Sequence, residues 1–589
     1  MIFTLSEAIT RHLSSSVCSL SLTQQVLRVD LSRLTHRAYS VGPLPLIRSI
    51  VDRLTLDDLL ERFVPQKRLG RDTDVPAGRA ISALVFNVLV SREPMYAIPD
   101  WLGSQALDLV GIDPADCERF NDDRVGRALE RLLEADSASL LTAVLSRAVT
   151  EFGVEASQIH NDTTSISFFG NYDGQANPAE KKRPPYITFG HSKDHRPDLK
   201  QLVYSLSITA DGAIPIHFKT YDGNTTDDKT HKETWSTIRS LFGHCRFLYV
   251  ADSKLCTREN MTFLHEQGGR FLTVLPRSRK EDDTFRDLLA TTKVSWREIR
   301  RKKAKAGSGR KDEIYEALES EQRSVEGYRL FWYRSSIKAA LDKKSRERKI
   351  QRAFDRVEQL AARTGRHRFA TLELAQNAVA RIIYEEGTKE WLEIRVTEDF
   401  VSTNDSAGAR AGRNRTEPDS PEIRFEAEEY ADAIEIDARA DGIFAMITND
   451  ETLTAKELLE AYKYQPFLEK RNQQLKSVLN VAPVFLKKPE RVAGLLFVYF
   501  LAMLVMALLE RELRRQMKLQ GIESLPLYPE SRSCKSPTIE TLARVFDGIR
   551  RTELLDDTGN VVMTLRDPLK EVGYEVVRLL GVDPRNYSG

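Results

Sequence analysis

The stretch YKYQPFLEKRNQQLK, running from Tyr462 to Lys476, sets an aromatic hydroxyl, a carboxylate and an ammonium at fixed spacing on one helix-like segment. At 3.6 residues per turn, seven residues return almost to the same azimuth, so Glu469 and Lys476 share a helix face. Pro466 lacks a backbone donor and favours a first helical turn, which leaves Tyr462 and Gln465 on the preceding turn if the helix starts there. Upstream, Asp162 stands in IHNDTTS (Ile159–Ser165) and Asp252 in FLYVADSK (Phe247–Lys254), both strand-like runs. Three hard carboxylates from two strands and a helix describe a magnesium site, because Mg²⁺ favours oxygen ligands.

These stretches resemble the DDE transposases of bacterial insertion sequences, in the branch whose third carboxylate sits in a Tyr-x2-Arg-x3-Glu-x6-Lys signature. Tyr462, Gln465, Glu469 and Lys476 carry the match, with glutamine where the signature has arginine. GHSKDHRPDLKQ (Gly190–Gln201), YDGNTTD (Tyr221–Asp227) and KKPER (Lys487–Arg491) extend it, so that the resemblance covers residues 41 to 545. It implies a Mg²⁺-dependent transposase that binds the terminal inverted repeats of its element, cleaves the ends and transfers 3′-hydroxyls to target DNA. Two magnesium ions are implied, with Mn²⁺ able to substitute: Asp162 would bridge both, and Asp252 and Glu469 would each complete one side. Tyr462 and Lys476 would grip the terminal phosphate of the transferred strand. The remaining implications are a homodimer in the synaptic complex and a cytoplasmic, nucleoid-associated location.

Gln465 is the departure from the signature, since an amide offers neither the charge nor the bidentate fork of arginine, and it is expected to bind DNA only by hydrogen-bonding a phosphate or a base. Lys463 and Arg471 are the neighbouring cations that could compensate. His191 and His195 form His-x3-His, but no further pair follows at zinc spacing. With Lys193, Arg196 and Lys200 interleaved, that loop reads as a strand-contacting element, and Lys193, Arg196 and Lys254 are expected to meet DNA phosphates without reading sequence.

The chain is expected to be α/β, with an RNase H-like core interrupted by a large insertion. Between residues 151 and 276 the pattern predicts three strands, a helix, a strand, a helix and a strand, with an Asp211-Gly212 turn between the second and third strands. In that order the first and fourth strands are neighbours, which puts Asp162 beside Asp252. The interval from Asp252 to Glu469 is more than twice that from Asp162 to Asp252, so an insertion domain is expected at 277–440. It holds a basic run, Arg300–Lys305, a helix with Ile350, Phe354, Val357 and Ala361 at core spacing, and a loop expected to be disordered from Val401 to Pro421. The core is expected to resume over 441–515.

Ahead of the core, residues 1–40 show no pattern and read as a disordered leader. Residues 41–150 read as a helical domain whose Arg79, Arg124, Arg127 and Arg131 suit DNA, and 516–589 reads as a helical tail. Five scattered cysteines without a Cys-x2-Cys pair point away from a disulfide scaffold or zinc finger. The uncharged run from Val492 to Leu509 is long enough to reach a bilayer threshold, yet it continues into Glu510–Arg515, and a buried core helix without a membrane is the reading adopted.

Three other classes compete. A DNA-binding relic of a transposase would keep the cations and lose cleavage. A two-carboxylate hydrolase leaves the third acid and Lys476 unexplained. A membrane-anchored interaction protein rests on the apolar run alone.

Overall fold

The computed structural model of the chain describes residues 34–65, 75–172, 175, 183–304, 307, 309, 311–363, 369–399, 422–478 and 486–587. Most of the expected leader, the Val401–Pro421 loop and Lys305 therefore lie outside the described residues. In chain order the strands are β1 (Thr35–Ser40), β2 (Gln158–Phe168), β3 (Lys200–Thr209), β4 (Pro215–Tyr221), β5 (Leu248–Ala251), β6 (Arg270–Val274), β7 (Arg297–Lys302), β8 (Glu313–Glu319), β9 (Arg329–Ser335), β10 (Leu392–Asp399), β11 (Glu422–Glu429), β12 (Ile443–Thr448), β13 (Arg550–Leu555) and β14 (Val561–Arg566). The chain forms two units, one up to Val250 and again from Tyr464, the other from Ala251 to Lys463.

In the first unit the opening part of the succession read from the sequence is present: β2, β3 and β4, then a helix from His231 to Phe242, then β5. β2 pairs antiparallel with β3, from Ile159 opposite Thr209 to Phe168 opposite Lys200. On its other side β2 runs parallel to β5, with His160 opposite Val250. β4 closes the order β4-β3-β2-β5 through an antiparallel pairing with β3. The predicted Asp211-Gly212 turn sits between β3 and β4, where Gly212 takes φ of +80°, a conformation glycine adopts without steric cost. β3 is buried along nearly its whole length, as a strand covered on both faces must be. β2 is equally enclosed but carries His160, Asn161, Thr163, Thr164 and Ser165, all buried. Polar side chains at buried positions need partners, and here they mark a site rather than a core.

The apolar run belongs to a helix from Pro489 to Leu519, whose most apolar window is 94% buried by the protein itself. It packs on the helices Asp122–Glu134, Ala77–Val90, Leu44–Arg53 and Glu571–Leu580, and on β4. Phe218 of β4 lies between Phe497 and Phe500, with ring centroids 5.1 and 4.7 Å away. Gly494 lets this helix approach Asp122–Glu134, since a Cβ there would stand 2.4 Å from the carbonyl oxygen of Leu129. The faces a bilayer would have to cover are occupied by neighbouring helices.

Three readings of the ends change. Thr35–Ser40, assigned to the leader, is strand β1 and pairs antiparallel with β13. The tail is not purely helical, because β13 and β14 form a hairpin that continues the order β1-β13-β14. Of the arginines expected to face DNA, Arg124 and Arg131 are buried. Arg127 is paired with Asp123, and Arg79 with Glu61, so this set is turned inward or neutralised.

The second unit contains the strand order β6-β12-β9-β8-β7. β12, predicted as a strand returning just before the signature segment, pairs antiparallel with both β6 and β9. The first half of the expected insertion thus adds β7, β8 and β9 to the sheet holding β6 and β12, and is not a separate body. Only its second half has its own small core, in which Ile350, Ala353, Val357 and Leu360 of helix Ser336–Ala361 meet Val379, Ile382 and Leu392. Phe354 packs against that cluster while only partly buried.

Candidate active site

Asp162 lies midway along β2, opposite Leu206 of β3. One oxygen accepts from the backbone N–H of Thr163 at 2.7 Å, and the other lies 3.4 Å from Nδ2 of Asn472. Burial holds its carboxyl above the usual range, against the opposing pull of Lys193, while Asp227 adds to the rise. Lys193 reaches in from its loop, donating to the Thr163 carbonyl at 2.7 Å and to Thr163 Oγ1 at 2.8 Å. Its ammonium is 2.9 Å from Asp227 and 3.5 Å from Asp162. Burial would raise Asp227 as well, but Lys193 and the Thr163 hydroxyl outweigh it and hold that carboxyl below its ordinary value. Lys193, expected on DNA, is therefore engaged with two carboxylates beside the candidate metal ligand.

The signature segment divides into more pieces than one helix. A helix ends at Tyr462, a second runs from Gln465 to Gln473 with Pro466 in its first turn, and Gln474–Val478 is a π turn containing Lys476. Gln465 is buried, with its Oε1 2.8 Å from Nδ1 of His160 and its amide donating weakly to the Asn161 carbonyl at 3.4 Å. The other ring nitrogen of His160 is 2.7 Å from Gln158, and burial depresses the imidazole to about 4 despite the hydrogen bond to Gln465 Oε1. Gln465 thus ties the helix to β2 and turns away from solvent, where a phosphate contact would have to form.

Glu469, one turn on, is exposed, and its carboxylate has no hydrogen bond or ion pair among the described residues. Lys476 is held by Asp194, at 2.7 and 2.9 Å to the two oxygens. Arg196 pairs with Asp198 through two hydrogen bonds. Arg471, considered as a substitute for the missing arginine, is buried against Glu510 at 2.9 Å and donates to the Ala213 carbonyl, so it too is committed to the core.

In the second unit, Asp252 directly follows β5 and is half-buried. Its carboxylate accepts from the backbone N–H of Lys254 at 3.0 Å, and its carbonyl from Thr273 Oγ1 at 2.6 Å. Lys254 is exposed, and Tyr462 is half-buried at its helix end. Lys463, the other proposed substitute, is 2.9 Å from Glu313. Among the described residues no three His, Cys, Asp or Glu side chains gather as a metal-holding group.

The structure adds Asp227, Asn472 and His160 to the surroundings of Asp162. Asp227 closes a stretch that the sequence had already singled out, and Asn472 follows Gln465 by seven residues, the same helical interval that joins Glu469 to Lys476. The buried histidine carries no comparable signal.

Residues 37–146 match a family model described as a domain of unknown function, DUF4277. No curated protein matches the chain. Among solved structures, a cryo-EM structure of the piggyBac transposase synaptic complex with hairpin DNA is similar at 8% identity and a TM-score of 0.36, covering 86% of this chain and 79% of that one. A resemblance that loose carries no functional argument.

Proposed function

We propose that this chain is a DNA transposase with an RNase H-like catalytic core, using Asp162, Asp252 and Glu469 to direct phosphodiester cleavage and strand transfer. The observation that supports the reading is the setting of Asp162, midway along β2, a strand flanked antiparallel by β3 and parallel by β5, the strand order that an RNase H-like core needs. The signature acid, Glu469, follows on the helix that Gln465 anchors to β2.

The donor chemistry suits magnesium. Asp162 is a hard oxygen ligand whose burial disfavours its charged form, so a nearby cation stabilises it, and one of its oxygens meets only a long contact from Asn472. When bound, two metal ions supply an activated water or 3′-hydroxyl and stabilise the leaving oxygen. Within the chain, the Thr163 N–H and the Asn472 amide orient the Asp162 carboxylate, and Lys193 and Asp227 set the local charge around it. The proposed partners are duplex DNA, as terminal inverted repeats and target, and a second copy of the chain.

Single-turnover cleavage of a duplex carrying the element's end tests this reading with Asp252→Asn and Glu469→Gln. Both are expected to lose Mg²⁺-dependent cleavage. If Glu469→Gln cleaves at the wild-type rate while another acid, such as Glu460, proves essential, the third ligand has been misassigned.

A further inference from the structure

The basic run in the second unit has no role in the chemistry above. Its Arg300, Arg301 and Lys302 end β7, the terminal strand in the order β6-β12-β9-β8-β7, which among the described residues is paired with β8 alone. The strand is held firmly to its sheet. Phe285 stacks on Trp332 at 3.8 Å and 9°, and Trp296, just before β7, meets Phe285 edge-on.

The acids around this ribbon are already matched. Glu298 binds Arg301 at 2.5 Å, and Asp312 lies 3.6 Å from the same arginine. Glu313 is paired with Lys463 and Glu316 with Arg334. Left over are Lys293, Arg297, Arg300, Lys303 and Lys311, whose side chains have no hydrogen bond or ion pair among the described residues. All but Arg300, which is half-buried, are exposed. A bulge between Glu298 and Arg300 disturbs strict alternation, so the cations are not confined to one face of the strand.

We infer that the β7–β8 ribbon is a grip for the phosphate backbone of double-stranded DNA. From Arg297 to Lys303 the chain extends about 20 Å, long enough to follow several phosphates. The uncompensated side chains are lysines and arginines, suited to phosphate oxygens, and the grip is accordingly indifferent to sequence. The inference rests on the transposase reading for its ligand but on separate residues, far in sequence from Asp162 and Glu469.

The test is fluorescence anisotropy of the full-length chain with an end-containing and a random duplex, over a range of salt. The variant is Arg297→Ala/Arg300→Ala/Lys303→Ala, and the control removes Lys535, Arg578 and Arg585, which stand beside acids elsewhere. The β7 variant is expected to lose on the order of tenfold or more in affinity for both duplexes, with a salt slope shallower by about 2–3. An unchanged thermal midpoint checks that it folds, and the control should bind as the wild type does. Unchanged affinity and slope, a loss confined to the end-containing duplex, or an equal loss in the control would each overturn the inference while cleavage by the wild type still upheld the transposase. A wild-type chain that bound anionic lipid vesicles and no duplex would overturn both.

Discussion

At the scale of single residues, Gln465 changes meaning most between sequence and structure. The signature position suggested a phosphate contact, but the side chain is buried and bonded to His160. Gln465→Ala is therefore expected to cost about 1–3 kcal/mol of stability, read by urea denaturation, by leaving a buried imidazole nitrogen unpaired. An unchanged midpoint with weakened DNA binding would restore the phosphate role. His160, His217 and His231 are each depressed to about 4 by burial. Their folded values lie below the unfolded value near 6.5, so the unfolded chain takes up protons first as pH falls. Stability from this source is complete above about pH 6.5 and is lost towards pH 4, by up to a few kcal/mol for each histidine. Urea midpoints at pH 7.5 and pH 5 check the sign: equal midpoints, or a higher one at pH 5, would contradict it. The acids Asp162 and Glu469 were legible as residues because spacing and flanking strands mark them. Asn472 and Asp227 were not, because a lone amide or acid acquires its role only when another segment of chain is brought against it.

At the scale of elements, the helix Pro489–Leu519 shows how a membrane-like sequence can be satisfied within a protein. Leu504 is fully buried in it, and Leu504→Asp is expected to destabilise the fold by about 3 kcal/mol or more, since an unpaired carboxylate would replace packed apolar surface. Urea denaturation of the purified variant measures this, and a loss below about 0.5 kcal/mol would mean the side chain is not packed as described. The strands β2, β3, β4, β5, β6 and β12 were legible from alternation and apolar runs. β1, β13 and β14 were not: they are short and largely exposed, so their pairing depends on distant segments meeting. The same reason hid the destination of β7, β8 and β9. The sequence shows part of β7 as a basic run and gives no sign of β8 and β9, and only tertiary pairing decides that all three extend an existing sheet.

At the scale of the whole molecule, the proposed reaction needs Asp162, Asp252 and Glu469 for catalysis and leaves DNA grip to cations elsewhere. The two functions should therefore separate by mutation, because replacing a carboxylate by its amide leaves the lysines and arginines that meet phosphate in place. Asp162 offers the cleanest point of attack, as it lies on the central strand and its neighbours are defined. The measurement is Mg²⁺-dependent single-turnover cleavage of an end-containing duplex by the wild type and Asp162→Asn, together with anisotropy binding of the same duplex. The expected result is cleavage by the wild type, none by Asp162→Asn, and nearly equal affinity for the two. Cleavage by Asp162→Asn at the wild-type rate would contradict it.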